Sequence, residues 1–130
     1  MSSGRRAGGL DRLDGMSEPS VFTRILRGEI PSEIIAETDR VFAIRDIAPK
    51  APVHLLVIPK TEQYRDVVEL AAGDPSLLAE MTELAARLAA EHADGDFRFV
   101  FNRGANAGQT VFHVHGHVLA GGLDEGSLGD

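Results

Sequence analysis

Three histidines alternate with other residues near the C-terminal end of the chain: His113, His115 and His117. Side chains in a β-strand repeat every two residues. The spacing therefore predicts a strand from Val111 to Ala120 whose three imidazoles share one face, about 6.8 Å apart. Burying three imidazoles without hydrogen-bond partners costs free energy at each one. The face is therefore expected to line a cleft that binds a ligand, and not to lie in a hydrophobic core.

Two chemistries fit such a strand, metal ligation and phosphate transfer. His113 and His115 could chelate a divalent ion, with His54 as a third ligand from another strand. The outer two histidines lie about 13.6 Å apart on an extended strand, so the strand alone cannot surround one metal at about 2.1 Å. Phosphate chemistry fits better, because a neutral imidazole can attack phosphorus while its neighbours offset charge on the oxygens. We therefore expect no metal at this site.

A polar loop, Arg103 to Thr110, comes directly before the predicted histidine strand and contains two glycines. Such a loop offers backbone N–H groups, amides and a hydroxyl that can cradle an anion. It lacks the Gly-Lys-Ser/Thr ending of a Walker loop, and by itself it would more often be an ordinary connection. Its position favours the phosphate interpretation.

Two further residues fit a nucleotide site. In the strand predicted over 41–47, Asp46 shares a face with Phe42 and Ile44, and a carboxylate at a strand end can accept hydrogen bonds from two ribose hydroxyls. An ordinary surface carboxylate is the plainer interpretation. His54 begins a mostly apolar strand, where it is either a core histidine with satisfied hydrogen bonds or a proton relay behind the catalytic histidine.

Composition limits the partners of the chain. It has 20 acidic against 13 basic residues, a net charge of −7, and no cysteine. Disulfides, thiolate zinc sites and cysteine nucleophiles are excluded, and nucleic-acid binding is not expected without a basic stripe. No apolar run approaches the roughly 18 residues of a membrane span, and the N-terminal residues contain no apolar block typical of a secretory signal. A cytoplasmic protein without membrane contact is expected.

The hydrophobic periods predict one α+β domain with a mostly antiparallel sheet of about five strands. The expected elements are a short helix capped by Ser20, a hairpin, a third strand, a long helix that begins after Asp74, and two C-terminal strands: 21–27, 33–37 with 41–47, 53–58, 75–92, 97–102 and 111–120. We expect the folded domain to cover 18–122, with 1–17 a disordered extension and 123–130 a flexible tail.

Together these segments resemble the histidine triad family, in its Hint branch. The resemblance runs from about Ser20 to Gly122 and is carried by three stretches, VFTRILRGEIPSEIIAETD, FAIRDIAPKAPVHLLVIPK and FVFNRGANAGQTVFHVHGHVLAGG. The third is the most specific, because its three alternating histidines follow Gly108 and Gln109 in the register of the family. The resemblance implies a homodimer that pairs through the long helix and a sheet strand and buries the apolar stripe from Leu77 to Leu88.

The resemblance also implies an enzyme, a purine nucleoside phosphoramidase. His115 would attack the α-phosphorus of an adenosine phosphoramidate, expel the amine and form a nucleotidyl-histidine that water hydrolyses. His113 and His117 would flank it and contact phosphate oxygens, and His54 would orient it or relay a proton. The implied phosphate-binding residues are Asn102, Gly108, Gln109 and Thr110. Asp46 would bind the ribose, and the walls of the base slot would be Phe22, Ile25 and Ile44. No cofactor is implied, since the site would supply its own positive charge.

Two other functions remain open, hydrolysis of dinucleoside polyphosphates, as in the Fhit branch, and a nucleotide-binding module with incidental turnover. Three features depart from the family pattern. Thr110 stands where the family usually has serine, and the tail after Gly121 has no aromatic residue to shape the leaving-group side. Gly116 replaces a bulky hydrophobic residue, which predicts looser packing behind the histidine strand.

Overall fold

The computed structural model describes residues 18–125, which form a five-stranded antiparallel sheet with three helices and one short 3₁₀ turn. In chain order the elements are α1 (Val21–Leu26), β1 (Ile34–Glu37), β2 (Val41–Arg45), β3 (Val53–Pro59), α2 (Val67–Gly73), α3 (Pro75–His92), β4 (Arg98–Val100), the turn Ala105–Ala107 and β5 (Gly116–Ala120). The strand order is β1-β2-β3-β5-β4. The predicted α+β class is confirmed. The disorder expected for 1–17 and for the tail from 126 lies outside the described residues.

Short polar side chains begin the helices where the sequence predicts. The Ser20 hydroxyl accepts a hydrogen bond from the Thr23 amide, and the Asp74 carboxylate accepts one from the Leu77 amide. The helix α2 was not predicted from the sequence. It has seven residues and buries only Leu70, so its apolar period is too short to stand out.

The two faces of the sheet carry different layers. One face packs against the apolar stripe of α3, and the other packs against α1. The strand residues on the α3 face are Val41, Ala43, Leu55, Val57 and Val118. Those on the α1 face are Phe42, Ile44, Leu56 and Ile58. The alternation along β2 and β3 therefore splits the core into two clusters.

The apolar stripe of α3 packs against the sheet of its own chain, which corrects the expectation that a second chain would bury it. Leu77, Met81, Leu84 and Leu88 are each 4% exposed or less within one protomer. Four such side chains have almost no surface left to offer a partner. No helix among residues 18–125 is long and apolar enough to span a membrane.

The last strand is shorter than predicted. β5 begins at Gly116, so the segment 111–115 is irregular and the prediction of a strand from Val111 is wrong for its first half. The amide of Val114 donates to the carbonyl of Tyr64 at 3.1 Å instead of joining a ladder. The edge strand β4 is likewise reduced to three residues. Only His117 of the three alternating histidines lies in a strand.

Gly116 does not loosen the packing behind β5, contrary to expectation. The ring of Phe99 occupies the space, and a Cβ added at Gly116 would lie 2.3 Å from its Cε1. The same added Cβ would lie 2.8 Å from the Cζ atom of Phe101, and the ring centres of Phe99 and Phe101 are 4.7 Å apart. Two phenylalanines therefore fill the volume that a larger side chain at position 116 would take.

Candidate active site

Neighbouring strands bring two histidines into contact. In the β3–β5 ladder Leu56 lies opposite His117, and His54 lies two residues from Leu56 on the same face. The His54 Nε2 and His117 Nδ1 atoms are 2.9 Å apart. The irregular segment before β5 then places His115 beside His117, with ring centres 5.3 Å apart. The structure thus brings together three of the four predicted histidines in one cluster.

Hydrogen bonds determine the tautomers of His54 and His117. The Lys50 amide donates to His54 Nδ1 at 2.9 Å, so that nitrogen carries a lone pair and the proton of the neutral ring is on Nε2. The His54 Nε2–H group therefore donates to His117 Nδ1, and His117 in turn carries its proton on Nε2. This chain leaves an N–H donor on His117 directed away from His54.

The other two histidines are oriented by carbonyl groups. His113 Nε2 lies 2.7 Å from the Pro59 carbonyl oxygen, and His115 Nδ1 lies 2.9 Å from the His113 carbonyl oxygen. A carbonyl can only accept, so both of these nitrogens carry the proton of the neutral ring. His115 Nε2 is therefore an unprotonated nitrogen, and it has no protein hydrogen-bond partner within residues 18–125.

The aromatic ring of Phe22 lies against the histidine segment. It meets His115 edge-on with ring centres 4.8 Å apart, and His113 with centres 5.6 Å apart. His113 is fully buried, whereas His115 and His117 are partly exposed. The two exposed rings are the ones a substrate can reach.

Burial keeps all four imidazoles neutral at physiological pH. It is the main cause that lowers the pKa of His54, His113 and His115 below the ordinary value, and it lowers the pKa of His117 to about 4, helped by its neighbours His115 and His54. A neutral His115 is ready to act as a nucleophile. The same shifts disfavour the positive charge that the family resemblance implied for these rings.

Asp46 follows β2 and lies beside His54. A backbone hydrogen bond from the Asp46 amide to the His54 carbonyl, at 3.1 Å, extends the pairing of β2 and β3 by one step. One carboxylate oxygen accepts from the Ala48 amide at 2.7 Å, and the other lies 3.4 Å from His54 Nε2. The side chain is 17% exposed, so an oxygen remains accessible to a ligand hydroxyl.

The loop before the histidines uses part of its backbone in its own hydrogen bonds, so fewer of its amides are available to an anion than the sequence predicted. The amides of Gly104, Ala107, Gly108 and Gln109 all donate within the loop. The Gln109 side chain is buried; its oxygen accepts from the Gly104 amide and its NH₂ group donates to two carbonyl oxygens. Gln109 therefore has no N–H group left for a phosphate, and its hydrogen bonds hold the loop in its conformation.

Other predicted phosphate-binding residues lie around this loop. Gly108 has a φ of 96°, a left-handed conformation that favours glycine, and a Cβ added there would lie 3.9 Å from the Asn102 Nδ2 atom. Thr110 is exposed at the end of the loop. The loop's described hydrogen bonds leave the side-chain amides of Asn102 and Asn106 and the Thr110 hydroxyl available as donors.

Comparison with known proteins places the chain in a family. A family model described as the HIT domain matches residues 27–122, well over half of the chain. The chain belongs to the HIT family.

Similar HIT proteins have been named or solved. The purine nucleoside phosphoramidase of Escherichia coli is 38% identical over 108 residues, which covers 82% of this chain and 90% of that protein. A HIT family hydrolase from Clostridium thermocellum superposes with a TM-score of 0.76 at 41% identity, covering 85% of this chain and 96% of that one. A zinc-bound histidine triad family protein from Mycobacterium smegmatis has a TM-score of 0.66 at 35% identity, covering 85% and 79%.

One group of side chains in this HIT domain has the spacing of a metal site. Ligand atoms of Asp46, His54 and His117 all lie within 4.8 Å of one another, and tetrahedral zinc holds its ligands about 3.4 Å apart. His54 would have to ligate through Nε2 and move its proton to Nδ1. The Lys50 amide already points at Nδ1, so two donors would face each other. The local hydrogen bonding therefore opposes a metal at a position that its spacing would allow.

The predicted walls of the base slot differ in how much surface they offer. Each of the three, Phe22, Ile25 and Ile44, is 9% exposed or less and therefore offers a ligand little contact area. Ile47, which follows Asp46, is 97% exposed. Sequence reasoning did not single out this exposed isoleucine, which directly follows the candidate ribose carboxylate in the chain.

The groups that orient the histidines were also missed. The Lys50 amide, the Pro59 carbonyl and the Ser20 hydroxyl each bind one imidazole nitrogen. Two of them are backbone groups, which every residue possesses, so no residue type signals them. Ser20 was recognised only as a helix cap.

Proposed function

We propose that this protein hydrolyses the P–N bond of adenosine phosphoramidates through a covalent nucleotidyl-histidine at His115 Nε2. The observation that carries the proposal is the hydrogen bond from His115 Nδ1 to the His113 carbonyl oxygen. It keeps the proton on Nδ1 and leaves the lone pair of Nε2 directed out of a partly exposed ring. The similarity to the phosphoramidase of Escherichia coli supports the choice of substrate.

The reaction balances in two steps. His115 Nε2 attacks the α-phosphorus and the P–N bond breaks, so the amine leaves with a proton taken from solvent. The ring of the nucleotidyl-histidine is then cationic, and its Nδ1–H group donates to the His113 carbonyl, which stabilises that charge. Water attacks phosphorus, the P–Nε2 bond breaks, and the proton returns to solvent with release of AMP.

The neighbouring histidines support this chemistry as donors. The His117 Nε2–H group lies on the ring beside His115 and can donate to a non-bridging phosphate oxygen. An anion held there raises the pKa of His117 and strengthens that hydrogen bond. His54 holds His117 in the required tautomer, and the Asp46 carboxylate accepts from ribose hydroxyls.

The test is steady-state hydrolysis of an adenosine phosphoramidate that carries a fluorescent amine, in buffer with EDTA. We expect wild type to be active and His115→Ala to lose about a thousandfold or more in kcat, because the nucleophile is gone. His92→Ala is the matched control, since this histidine lies at the end of α3, and we expect it to keep wild-type rates.

Each other outcome has a defined meaning. Wild-type turnover by His115→Ala would refute the nucleophile assignment. Loss of wild-type activity on adding EDTA would favour a metal at Asp46, His54 and His117, as the zinc-bound relative suggests. Inactivity of wild type toward the phosphoramidate, with turnover of a dinucleoside polyphosphate, would replace the substrate and keep the site.

A further inference from the structure

Ser20 joins the start of α1 to the histidine segment, 93 residues later in the chain. Its hydroxyl oxygen accepts from the Thr23 amide at 3.2 Å, which caps the helix, and lies 2.6 Å from His113 Nδ1. Because His113 Nε2 donates to the Pro59 carbonyl, Nδ1 carries a lone pair, and the hydroxyl must be the donor. One hydroxyl therefore caps α1 and binds His113 at the same time.

Ser20 is itself held in place from the other side. Its backbone amide donates to a carboxylate oxygen of Glu62 at 2.9 Å, and the Thr23 hydroxyl donates to the same oxygen. Glu62 lies in the connection after β3, three residues beyond Pro59. The position of the Ser20 hydroxyl is thus set by the same stretch of chain that binds the far nitrogen of His113.

The orientation of His113 bears directly on the nucleophile. The carbonyl of His113 is the acceptor for His115 Nδ1, and the amide of the same peptide, that of Val114, donates to the Tyr64 carbonyl at 3.1 Å. Both residues precede β5, so the peptide is held by this bond and not by a strand ladder. A small rotation of the His113 backbone would turn the His115 ring. Phe22, two residues after Ser20, contacts both rings and completes the link between α1 and this segment.

We propose that Ser20 is a positioning residue for the nucleophile: its hydroxyl holds the His113 ring, and through the His113 carbonyl it sets the direction of His115 Nε2. The proposal rests on the proposed function for its kinetic test. It assigns Ser20 a role beyond helix capping, and capping alone would not require a hydroxyl that donates.

Three variants separate the two roles. Glycine is nearly as good an N-cap as serine but has no hydroxyl, alanine loses both functions, and threonine keeps both. With the adenosine phosphoramidate substrate, we expect Ser20→Gly and Ser20→Ala to lower kcat by about tenfold or more with a smaller change in KM, because a misdirected nucleophile slows chemistry more than binding. We expect Ser20→Thr to stay close to wild type.

A second measurement does not depend on turnover. In wild type the ¹⁵N spectrum of His113 should show a protonated Nε2 and an Nδ1 that accepts a hydrogen bond, and Ser20→Gly should shift the Nδ1 signal while Ser20→Thr restores it. Wild-type kcat in Ser20→Gly, or a loss in Ser20→Thr as large as in Ser20→Gly, would overturn the proposal. If wild type does not cleave the phosphoramidate, the proposed function fails. The His113 spectrum then decides, and an unchanged Nδ1 signal in Ser20→Gly overturns the link.

Discussion

At the scale of single residues, backbone groups determine what each imidazole can do. The Pro59 and His113 carbonyl oxygens can only accept, and the Lys50 amide can only donate. These three groups decide which nitrogen of each ring carries the proton. Side chains of the same type therefore become the proposed nucleophile at His115 and the proposed donor at His117.

The buried imidazoles make folding stability depend on pH. In the folded chain the pKa of His117 is about 4, whereas an imidazole in the unfolded chain titrates near 6.5. Between these values the unfolded chain binds more protons, so acid favours unfolding. The stability due to His117 is complete above about pH 6.5 and is lost as the pH falls through about 4.

From about pH 6.5 to about pH 5 we expect His117 to account for a loss of about 1.5 kcal/mol in the free energy of unfolding. Urea denaturation at several pH values in this range measures it, above the range in which most carboxylates titrate. His117→Gln should show a weaker pH dependence than wild type. The same slope in both proteins would contradict the assignment.

At the scale of elements, β4 and β5 carry residues of complementary size where they pack together. Gly116 is buried in β5, and Phe99 in β4 places its ring over it. This pairing lets a bulky residue on the edge strand β4 take the place of one in β5, the strand that follows His115. The same packing keeps β5 against β4 just where the irregular segment ends.

Gly116→Ala is therefore expected to destabilise the fold by about 1–3 kcal/mol, because the new methyl group overlaps the Phe99 ring. Thermal or urea denaturation measures the loss. The double variant Gly116→Ala/Phe99→Leu should lose less stability than the sum of the losses in the two single variants, because the smaller leucine makes room for the new methyl group. Strict additivity would show that the two positions do not share this space.

At the scale of the whole molecule, the larger hydrophobic core and the histidine cluster lie on opposite faces of the sheet. One face packs against α3 and forms the larger core, while the other holds α1 and the histidine cluster. A homodimer, with twice the 13.9 kDa mass of the chain, remains a prediction of the family resemblance. The described sheet has two edges, β1 and β4, where backbone groups can pair with another strand.

Substitution of the α3 stripe distinguishes a core from an interface. Leu84→Ala should lower the free energy of unfolding by about 2–5 kcal/mol, because Leu84 is 4% exposed within one protomer. The exposed neighbour variant Glu83→Ala should change it by no more than about 0.5 kcal/mol. Light scattering should give the same mass for both folded variants as for wild type. A halved mass at unchanged stability for Leu84→Ala would place the stripe in an interface instead.

Most of the architecture could be predicted from local patterns in the sequence. Ser20 and Asp74 mark helix starts because a short polar side chain satisfies free amides wherever it precedes an apolar helical period. Short, nearly continuous apolar runs bounded by turn residues identify β2 and β3, because a strand covered on both faces is apolar along most of its length. The three alternating histidines predicted a site, and with the surrounding stretches they indicated the family that the domain match confirms.

The working state of the site was decided only by the tertiary structure. Strand order places His54 against His117, and the hydrogen bonds of His113 to Ser20 and Pro59 join residues 54 or more positions apart. Such partners depend on how the elements pack, which a local period does not encode. The early end of the β5 ladder at Gly116 and the closure of the loop by Gln109 have the same origin. Local patterns predicted the residues that are proposed to carry the chemistry, and the packing decided which nitrogen of His115 and of His117 is left without a protein hydrogen-bond partner among the described residues.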